Sequence, residues 1–238
     1  MLELDFERNA LFLDFDGTLV DIAPRPEAVV VPAELPPLLM RLLDRFGGAL
    51  AIVSGRPIAE IDRFLAPAVM PAAGLHGLEW RAGASTGRME PPPSLDQIRR
   101  DVRETGLAER GVRIEDKGLS LALHYRDVPA LGAAVLAMAT AAAAAHPDLS
   151  VLNGKMVVEI KPKAASKASA VRRFAGLAPF AGRTPVFVGD DVTDEDGMRA
   201  ALDAGGTAIK VGEGESVAPL RVAAPSDVHR WLSELAGR

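Results

Sequence analysis

The sequence contains no cysteine, few aromatic residues and little net charge. Without cysteine the protein has no disulfide framework, no thiolate zinc site and no thiol catalysis. Aromatic residues make up 5% of the chain, which argues against a platform on which nucleic-acid bases stack. The net charge of −5 at pH 7 argues against binding to a polyphosphate backbone, because such binders usually show a basic stripe. We therefore expect no nucleic-acid partner.

Hydrophobic runs typical of targeting or membrane segments are also absent. Residues 1–9 carry acidic side chains from position 3 onward, which is unlike a signal peptide. Residues 128–145 contain no charge, but most of them are alanine, a strong helix former with little apolar area. We expect a packed helix there rather than a membrane span. These features favour a cytoplasmic protein with no membrane partner, and we expect it to be a monomer.

The first third and the last third of the 238 residues share one rhythm, in which apolar runs alternate with helical spacing. Short apolar runs that end in polar residues are typical of buried parallel strands, and the segments between them have leucines at helical spacing. This alternation predicts an α/β fold with a doubly wound parallel sheet. The predicted strands are 10–14, 49–53, 68–73, 185–189 and 207–211, and the predicted helices are 35–46, 57–65, 166–175, 195–204 and one from 226 onward.

The middle of the chain interrupts this rhythm. Residues 83–93 are rich in Gly, Ser and Pro, which is typical of a linker. A helix and two strand-like runs follow, and after the alanine-rich helix two further runs meet at Asn153-Gly154, a strong hairpin signal. The sequence thus predicts an α/β core of residues 1–82 and 163–238 and an inserted α+β domain of residues 83–162. The runs in question are 95–105, 112–115, 119–125, 149–152 and 156–161.

Three of the predicted core strands end in polar or charged side chains. Ligands bind at the carboxyl ends of the strands in open α/β sheets, so these ends converge on one crevice. Two of them supply five carboxylates, and repulsion of that size calls for a cation; an all-oxygen ligand set favours Mg²⁺. The alternative is that Asp-Gly is a turn and Asp-Asp a helix N-cap. The carboxylates are Asp14, Asp16, Asp190, Asp191 and Asp194, and the third strand end is Ser54-Gly55-Arg56.

These motifs resemble those of the haloacid dehalogenase superfamily of phosphohydrolases. Asp14-Phe-Asp16-Gly-Thr18 is similar to the superfamily's nucleophile motif, and Ser54, Lys167 and Gly189-Asp190-Asp191 follow in the order of its other motifs. Within the superfamily, the chain resembles the trehalose-6-phosphate phosphatases along nearly its whole length. The stretches that carry this narrower resemblance are Ser54–Arg56, Gly74–Glu79, Lys117 with His124–Arg126, Val158–Pro162 and Gly189–Glu195.

The resemblance implies covalent phosphate chemistry. Asp14 is the expected nucleophile, and its acyl-phosphate is labile enough for water to cleave. Asp16 is the expected general acid and base, and its backbone carbonyl joins Asp14 and Asp190 around Mg²⁺. Asp191 and Asp194 are expected to hold metal-bound water. Further phosphate donors are expected from the Ser54-Gly55 segment and from the amides of Gly17 and Thr18.

The lysine that balances the transition-state charge is less sharply defined by the sequence. Lys167 lies where the family's third motif is expected, although the family usually shows Asp-Lys-Gly and this chain has Ser166-Lys167-Ala168. Lys161 and Lys163 are the competing candidates. We predict that Lys167 fills the role.

The resemblance also implies that the inserted domain is a cap that reads the sugar. The candidate readers from the cap are Lys117, His124, Arg126, Glu159 and Lys161, and those from the core are Arg56, His76 and Glu79. The alternative for each is a solvated strand residue, with Arg126 paired to Glu115 or Asp127. His146 and His229 are expected on helix surfaces, without a function.

The implied activity is a Mg²⁺-dependent hydrolysis of trehalose 6-phosphate. Related phosphatases of sucrose 6-phosphate or of mannosyl- or glucosyl-phosphoglycerate remain alternatives. A sugar phosphotransferase or phosphomutase is a second class, since Asp16 serves hydrolysis and mutase chemistry equally. A catalytically silent sugar-phosphate sensor is a third class, which the intact motif residues argue against.

Overall fold

The computed structural model of the protein describes residues 2–237. The strands, in chain order, are β1 (Asn9–Leu13), β2 (Leu50–Val53), β3 (Ala72–Gly74), β4 (Glu79–Ala82), β5 (Ser85–Arg88), β6 (Arg113–Asp116), β7 (Leu121–His124), β8 (Leu149–Gly154), β9 (Val157–Pro162), β10 (Thr184–Gly189), β11 (Thr207–Val211) and β12 (Leu220–Val222). The helices are α1 (Leu35–Arg45), α2 (Ile58–Leu65), α3 (Pro93–Glu104), α4 (Gly132–Ala144), α5 (Lys167–Ala175), α6 (Val192–Asp203) and α7 (Pro225–Ala236).

The chain divides into two compact units. The core unit comprises the chain up to Arg88 and from Ser166 onward, and the inserted unit is Met89–Ala165. In the core unit eight strands form one sheet in the order β12-β11-β10-β1-β2-β3-β4-β5. The strands from β12 to β3 run parallel, whereas β4 pairs in antiparallel fashion with both β3 and β5. The predicted α/β fold with a large parallel sheet is confirmed.

The central strands of the core sheet are almost wholly apolar. All four residues of β2 and the last four of β1 are buried, as expected for strands that helices cover on both faces. Next to them, α1 turns a stripe of leucines inward, which includes Leu35, Leu38, Leu39 and Leu42. The periodicity in the sequence therefore corresponds to real burial in this part of the chain.

The boundary between the units differs from the one that the sequence predicts. The predicted break at 82/83 falls within a hairpin, because Gly83 takes a left-handed φ of +56° in the turn between β4 and β5. The division follows Arg88 instead, since β5 pairs with β4 and extends the core sheet. At the other end the division lies after Ala165 rather than after Pro162. There the Lys163 amide donates to the Asp148 carbonyl and keeps the segment with the inserted unit.

The inserted unit is a four-stranded antiparallel sheet in the order β6-β7-β9-β8, with a separate apolar core that α3 and α4 share. The hairpin that joins β8 and β9 is present, but its predicted turn at Asn153-Gly154 is wrong. Asn153 and Gly154 are strand residues, and the turn is Lys155-Met156, with Met156 at φ +62°. This register leaves Val158 and Ile160 in the core, and a one-residue slip would turn them away from it.

The alanine-rich stretch lies mostly in α4, which has 13 residues. Val135, Ala139 and Ala143 form its buried stripe, at a spacing of four residues. Within residues 2–237, no helix combines the length and the apolar character that a membrane crossing requires.

Three phenylalanines fill the core between β1 and α5. The ring of Phe174 lies 5.9 Å from that of Phe12 and 4.7 Å from that of Phe180, measured between centroids. Replacing Phe174 with alanine leaves a cavity in a fully buried cluster. We predict that Phe174→Ala lowers the free energy of unfolding by about 3–5 kcal/mol. Urea denaturation followed by tryptophan fluorescence measures this, because both tryptophans, Trp80 and Trp231, belong to the core unit.

The matched control is Val30→Ala. The Val30 side chain is 80% exposed, so this change should alter the free energy of unfolding by less than about 0.5 kcal/mol. A loss below about 1 kcal/mol for Phe174→Ala would contradict the packing described here.

Candidate active site

The three predicted site segments follow neighbouring strands of the core sheet. Asp14 and Asp16 follow β1, the Ser54-Gly55-Arg56 segment follows β2, and Asp190 follows β10. In the sheet β1 lies between β10 and β2, and all three strands are parallel. Their carboxyl ends therefore lie at the same edge, where open α/β sheets bind ligands.

Three carboxylates and one lysine meet at this edge. One oxygen from each of Asp14, Asp190 and Asp194 lies within 4.8 Å of the others. The Lys167 ammonium donates to Asp14 Oδ1 at 2.5 Å and to Asp194 Oδ1 at 2.6 Å. Asp14 and Lys167 are each only 3% exposed. We refer to these four residues as the acid cluster.

Burial and repulsion shift the pKa values of the acid cluster. Burial, and then the charge of Asp194, raise the pKa of Asp14 well above its usual range, against the opposing charge of Lys167. The same two causes raise the pKa of Asp190 to about 6. Burial disfavours the charged form of Lys167, but Asp14 and Asp194 outweigh it and raise the pKa of this ammonium. The lysine stays charged and leaves an excess of negative charge around it.

The acid cluster fits a divalent cation. Its three carboxylates face one lysine, and carboxylate oxygens are the ligands that hard divalent cations take. Asp190 Oδ1 is buried and has no hydrogen-bond partner among residues 2–237. A buried, unpartnered carboxylate oxygen is costly, and a bound cation would satisfy it. These three side chains could therefore hold a divalent metal.

The loop after β1 approaches Asp190 very closely. Gly17 has a φ of +83°, and a Cβ at this position would lie 2.1 Å from Asp190 Oδ2. Only glycine meets both conditions, so the Asp-Gly of the motif leaves room for the Asp190 carboxylate.

Asp194 lies in the acid cluster, and together with Asp191 it also forms the start of α6. Besides binding Lys167, Asp194 accepts hydrogen bonds at Oδ2 from the amides of Asp190, at 3.1 Å, and Asp191, at 2.9 Å. Asp191 is exposed, is the N-cap of α6 and lies outside the acid cluster. Helix α6 accordingly begins at Val192, ahead of its predicted start at Glu195, because Asp191 and Asp194 together cap it.

Asp16 is held by arginine rather than placed in the acid cluster. Arg56 Nε and a terminal nitrogen donate to the two Asp16 oxygens at 2.6 and 2.7 Å, which is bidentate geometry. The other terminal nitrogen donates to Glu60 at 2.9 Å, and the guanidinium lies 5.0 Å from the ring centre of Phe64. Sequence reasoning missed Glu60, although its spacing of four residues from Arg56 on a helix start was an available signal.

Other predicted donors have structural partners. The Gly17 amide donates to the Val20 carbonyl at 2.7 Å, and the Thr18 amide lies 3.4 Å from the Phe15 carbonyl, so both belong to the turn. Ser54 Oγ accepts from the Arg56 amide at 3.1 Å. The Thr18 hydroxyl is buried without a partner among the described residues.

Glu79, a predicted sugar reader, serves a helix start. Its Oε1 accepts from the amide of Ile58, the first residue of α2, at 2.6 Å. This satisfies one of the free N–H groups of the helix N-terminus. The sequence gives no sign of this contact, because Glu79 and Ile58 come together only when the core unit folds.

His76 lies in a strained turn beside the Ser54-Gly55-Arg56 segment. Leu75 and His76 have left-handed φ values of +50° and +55°, and Gly77 continues this at +91°. A Cβ on Gly55 would lie 2.8 Å from His76 Cε1 and Nε2, so the imidazole packs directly on that glycine. Left-handed residues other than glycine are costly and often occur at functional sites.

The inserted unit collects four of its five predicted readers on one face of its sheet. The registers of β6, β7, β9 and β8 align Lys117, His124, Glu159 and Lys161 on the face opposite to the buried Leu121, Leu123, Val158 and Ile160. Arg126 follows β7 and is exposed, outside the sheet. We refer to the first four residues as the polar face.

Hydrogen bonds and ion pairs organise the polar face. Glu159 is buried and accepts from Ser120 Oγ at 2.6 Å, and Lys117 Nζ lies 3.6 Å from the same oxygen. His124 Nε2 lies 2.7 Å from Glu115 Oε2, and this contact is the main cause that lowers the pKa of Glu115. Lys161 Nζ donates to the Ala165 carbonyl at 2.6 Å, within the inserted unit. Lys167, which begins α5 in the core unit, contacts Asp14 directly.

The expectation that His229 has no function is incomplete. His229 Nε2 donates to the Leu19 carbonyl at 2.7 Å and so attaches α7 to the loop that carries Asp14 and Asp16. A single histidine on an amphipathic helix gives no sequence signal for such a contact.

Comparison with solved structures defines the class of the fold. A haloacid dehalogenase-like hydrolase from Bacteroides thetaiotaomicron matches with a TM-score of 0.69 at 12% identity, covering 96% of this chain and 99% of that chain. This likeness concerns the fold: it is that of the haloacid dehalogenase-like hydrolases.

Narrower matches define the family. The family model described as Trehalose-phosphatase matches residues 12–226. Trehalose-6-phosphate phosphatase of Escherichia coli (strain K12) is 41% identical over 229 residues, which are 94% of this chain and 85% of that protein. The C-terminal domain of trehalose-6-phosphate phosphatase from C. albicans has the same fold, with a TM-score of 0.84 at 23% identity, covering 97% of this chain and 93% of that chain. The chain belongs to the trehalose-phosphatase family and is an enzyme, a phosphoric monoester hydrolase.

The raised pKa of Asp190 predicts that this residue destabilises the metal-free protein. An unfolded aspartate ionises near 3.8, whereas Asp190 in the folded protein ionises at about 6. Between these values the folded state binds more protons than the unfolded state, so stability falls as the pH rises through this window. We predict that Asp190→Asn raises the free energy of unfolding at pH 8 by about 1–2 kcal/mol in the presence of a chelator.

The advantage of Asp190→Asn should fade toward pH 4, where the native carboxyl is itself neutral. Denaturation curves of both proteins at pH 8 and pH 4.5 measure this, and Asp203→Asn, on an outward-facing residue of α6, is the control. Equal stability of Asp190→Asn and the unaltered protein at pH 8 would contradict the repulsion inferred here.

Proposed function

We propose that the enzyme hydrolyses trehalose 6-phosphate to trehalose and phosphate, with Mg²⁺ as its cofactor and an aspartyl-phosphate on Asp14 as its intermediate. The family and the names of the relatives support this substrate class. The observation that carries the chemistry is the buried Asp14 carboxylate, which contacts Lys167 at the carboxyl ends of the central strands. Cytoplasmic location and the monomeric state stay predictions from the sequence.

Asp14 is the proposed nucleophile. One carboxylate oxygen attacks phosphorus and forms the acyl-phosphate bond, while the bond between phosphorus and the sugar oxygen breaks. In the second step water attacks phosphorus, releases phosphate and restores the carboxylate. The Lys167 ammonium, fixed by Asp14 and Asp194, is placed to offset negative charge on the phosphoryl oxygens.

Asp16 is the proposed general acid and base. It protonates the departing sugar oxygen in the first step and takes a proton from the attacking water in the second. Arg56 holds this carboxylate by two hydrogen bonds in the present geometry. This contact favours a defined position for the proton-transfer group, and it makes Arg56 a partner of Asp16 as well as a candidate sugar reader.

Asp14 and Asp190 would hold Mg²⁺, with Asp194 beside them and the Asp16 backbone carbonyl as a further expected ligand. When bound, the ion would reduce the repulsion between the anionic nucleophile and the anionic phosphate ester. Asp191 is the N-cap of α6 and stays a proposed holder of metal-bound water, together with Asp194.

The inserted unit is proposed to act as a cap that binds the sugar and excludes water from the acyl-phosphate. Its polar face offers a buried carboxylate, two lysines and an imidazole, which suits the hydroxyl groups of a disaccharide. Arg126 remains a proposed reader from the exposed segment after β7.

A phosphate-release screen over a panel of sugar phosphates, with Mg²⁺ or with chelator, tests the proposal. We expect trehalose 6-phosphate to be the best substrate and chelator to abolish its turnover. A higher kcat/KM for sucrose 6-phosphate or for a glycosyl-phosphoglycerate would mean that this compound, and not trehalose 6-phosphate, is the preferred substrate. Transfer of phosphate to an added sugar instead of its release would indicate a phosphotransferase.

We predict that Asp14→Asn lowers the turnover of trehalose 6-phosphate by at least about a thousandfold, because an amide does not form the acyl-phosphate. Phosphate release measures this, and the melting temperature should not fall, since the change removes a repelling charge. Asp21→Asn, on an exposed residue beyond the loop, is the control. Near-normal activity of Asp14→Asn would overturn the covalent mechanism.

Glu159 separates sugar binding from phosphate chemistry. Hydrogen bonds to a charged group are worth about 1.5–3 kcal/mol each, and about 1.4 kcal/mol corresponds to a tenfold change. We predict that Glu159→Ala lowers kcat/KM for trehalose 6-phosphate by roughly ten- to a hundredfold or more and changes p-nitrophenyl phosphate hydrolysis little.

Two further variants sharpen the Glu159 experiment. Glu159→Gln keeps the shape of the side chain, and Glu109→Ala removes an exposed carboxylate of the same unit. Glu109→Ala should leave both activities unchanged. Equal losses on both substrates for Glu159→Ala would assign the residue to the fold or the catalytic machinery, and no loss on either would exclude it from sugar binding.

A further inference from the structure

We propose that Lys210 is a positioning residue that fixes the backbone of Asp190 and thereby sets the affinity of the acid cluster for Mg²⁺. The inference rests on the magnesium site of the proposed function. It concerns a residue that the motif analysis did not single out.

Lysine is rare in this chain, and its placement in the core unit is selective. The chain has six lysines, and only two of them, Lys167 and Lys210, lie in the core unit. Every other lysine-or-arginine position of the core unit is an arginine. Both lysines are buried, Lys210 with 5% of its surface exposed. Burying an ammonium is costly unless hydrogen bonds compensate it, so each of these lysines needs specific partners.

The partners of Lys210 are backbone carbonyls. Its Nζ donates to the carbonyl oxygen of Asp190 at 2.6 Å and to that of Val211 at 2.7 Å. In the sheet Lys210 is registered with Gly189, and Asp190 is the next residue, where the chain leaves β10. Lys210 thus holds the first peptide beyond the strand.

Charged side chains hold Asp190 at both of its backbone polar atoms. Its amide donates to Asp194 Oδ2 at 3.1 Å, and its carbonyl accepts from Lys210. Two fixed points leave the Asp190 side chain little freedom in how it enters the acid cluster. The close approach of Gly17 to Asp190 Oδ2 makes the position of this carboxylate still more restricted.

Positioning and charge balance predict opposite effects on metal affinity. Loss of a cation beside Asp190 would strengthen Mg²⁺ binding if charge alone mattered. Loss of a fixed Asp190 would weaken it, because groups that orient metal ligands are typically worth about 10–100-fold in affinity. The sign of the change therefore distinguishes the two roles.

The experiment measures the dissociation constant of Mg²⁺ alone, by following the melting temperature of the full chain during a Mg²⁺ titration. We expect Lys210→Met to raise this constant about tenfold or more. Lys210→Gln keeps a neutral donor on a shorter side chain, should disturb folding less, and should raise the constant about threefold or more. If Lys210→Met does not fold, Lys210→Gln decides the question.

The control is Arg183→Met. Arg183 precedes β10 and donates from one terminal nitrogen to the carbonyls of Phe6, at 2.6 Å, and Asn9, at 3.2 Å, so it anchors backbone as Lys210 does. It does so at the opposite end of β10 and lies outside the acid cluster. The Arg183→Met change should lower the melting temperature and leave the dissociation constant of Mg²⁺ unchanged.

Each outcome has a definite meaning. Unchanged or tighter Mg²⁺ binding by the folded Lys210 variants overturns the inference. A Mg²⁺-binding protein that does not hydrolyse trehalose 6-phosphate overturns the proposed substrate and leaves the affinity test of Lys210 intact. Absence of Mg²⁺ binding by the unaltered protein overturns both the magnesium site and the inference.

Discussion

The buried contact of Lys167 with Asp14 and Asp194 is the interaction on which the rest of the site depends. It joins the end of β1, the start of α5 and the first turn of α6, three segments that are far apart in sequence. One ammonium does not neutralise three carboxylates, and burial together with the remaining repulsion raises the pKa values of Asp14 and Asp190. The same imbalance that costs stability makes the cluster suited to a divalent cation.

Much of the fold could be predicted from the sequence because the core strands are apolar on both faces. A run such as Leu50–Val53 has few alternatives to burial in a parallel sheet, and the loops between such runs point their motifs to one edge. The edge strand Ser85–Arg88 was missed, since it is short and polar and is a strand only because β4 pairs with it. The predicted turn at Asn153-Gly154 is wrong because the burial of Val158 and Ile160 determines the register of the hairpin. This burial outweighs the local preference of Asn-Gly for a turn.

The candidate site, too, could be predicted from the sequence only in part. Asp14 and Asp190 were predicted to be close together because each follows a central strand, and the family resemblance added Lys167, which begins α5. Sequence reasoning did not predict that Glu79 accepts from the first amide of α2, whereas the N-cap at Asp191 had been named as an alternative. Lys210 and His229 act on backbone carbonyls, and contacts to the backbone leave no side-chain pattern for sequence reasoning to detect.

The insertion of Met89–Ala165 into the core has a consequence for synthesis on the ribosome. The inserted unit is one continuous segment, so all of its strands are available before the last third of the chain is made. The core is different, because β1 must pair with β10, and Asp14 must wait for Lys167 and Asp194. Domains generally fold as their chain emerges. Until β10 has emerged, the first segment of the core has one edge of β1 unpaired, and Asp14 gains its partner Lys167 only after the inserted unit has been made.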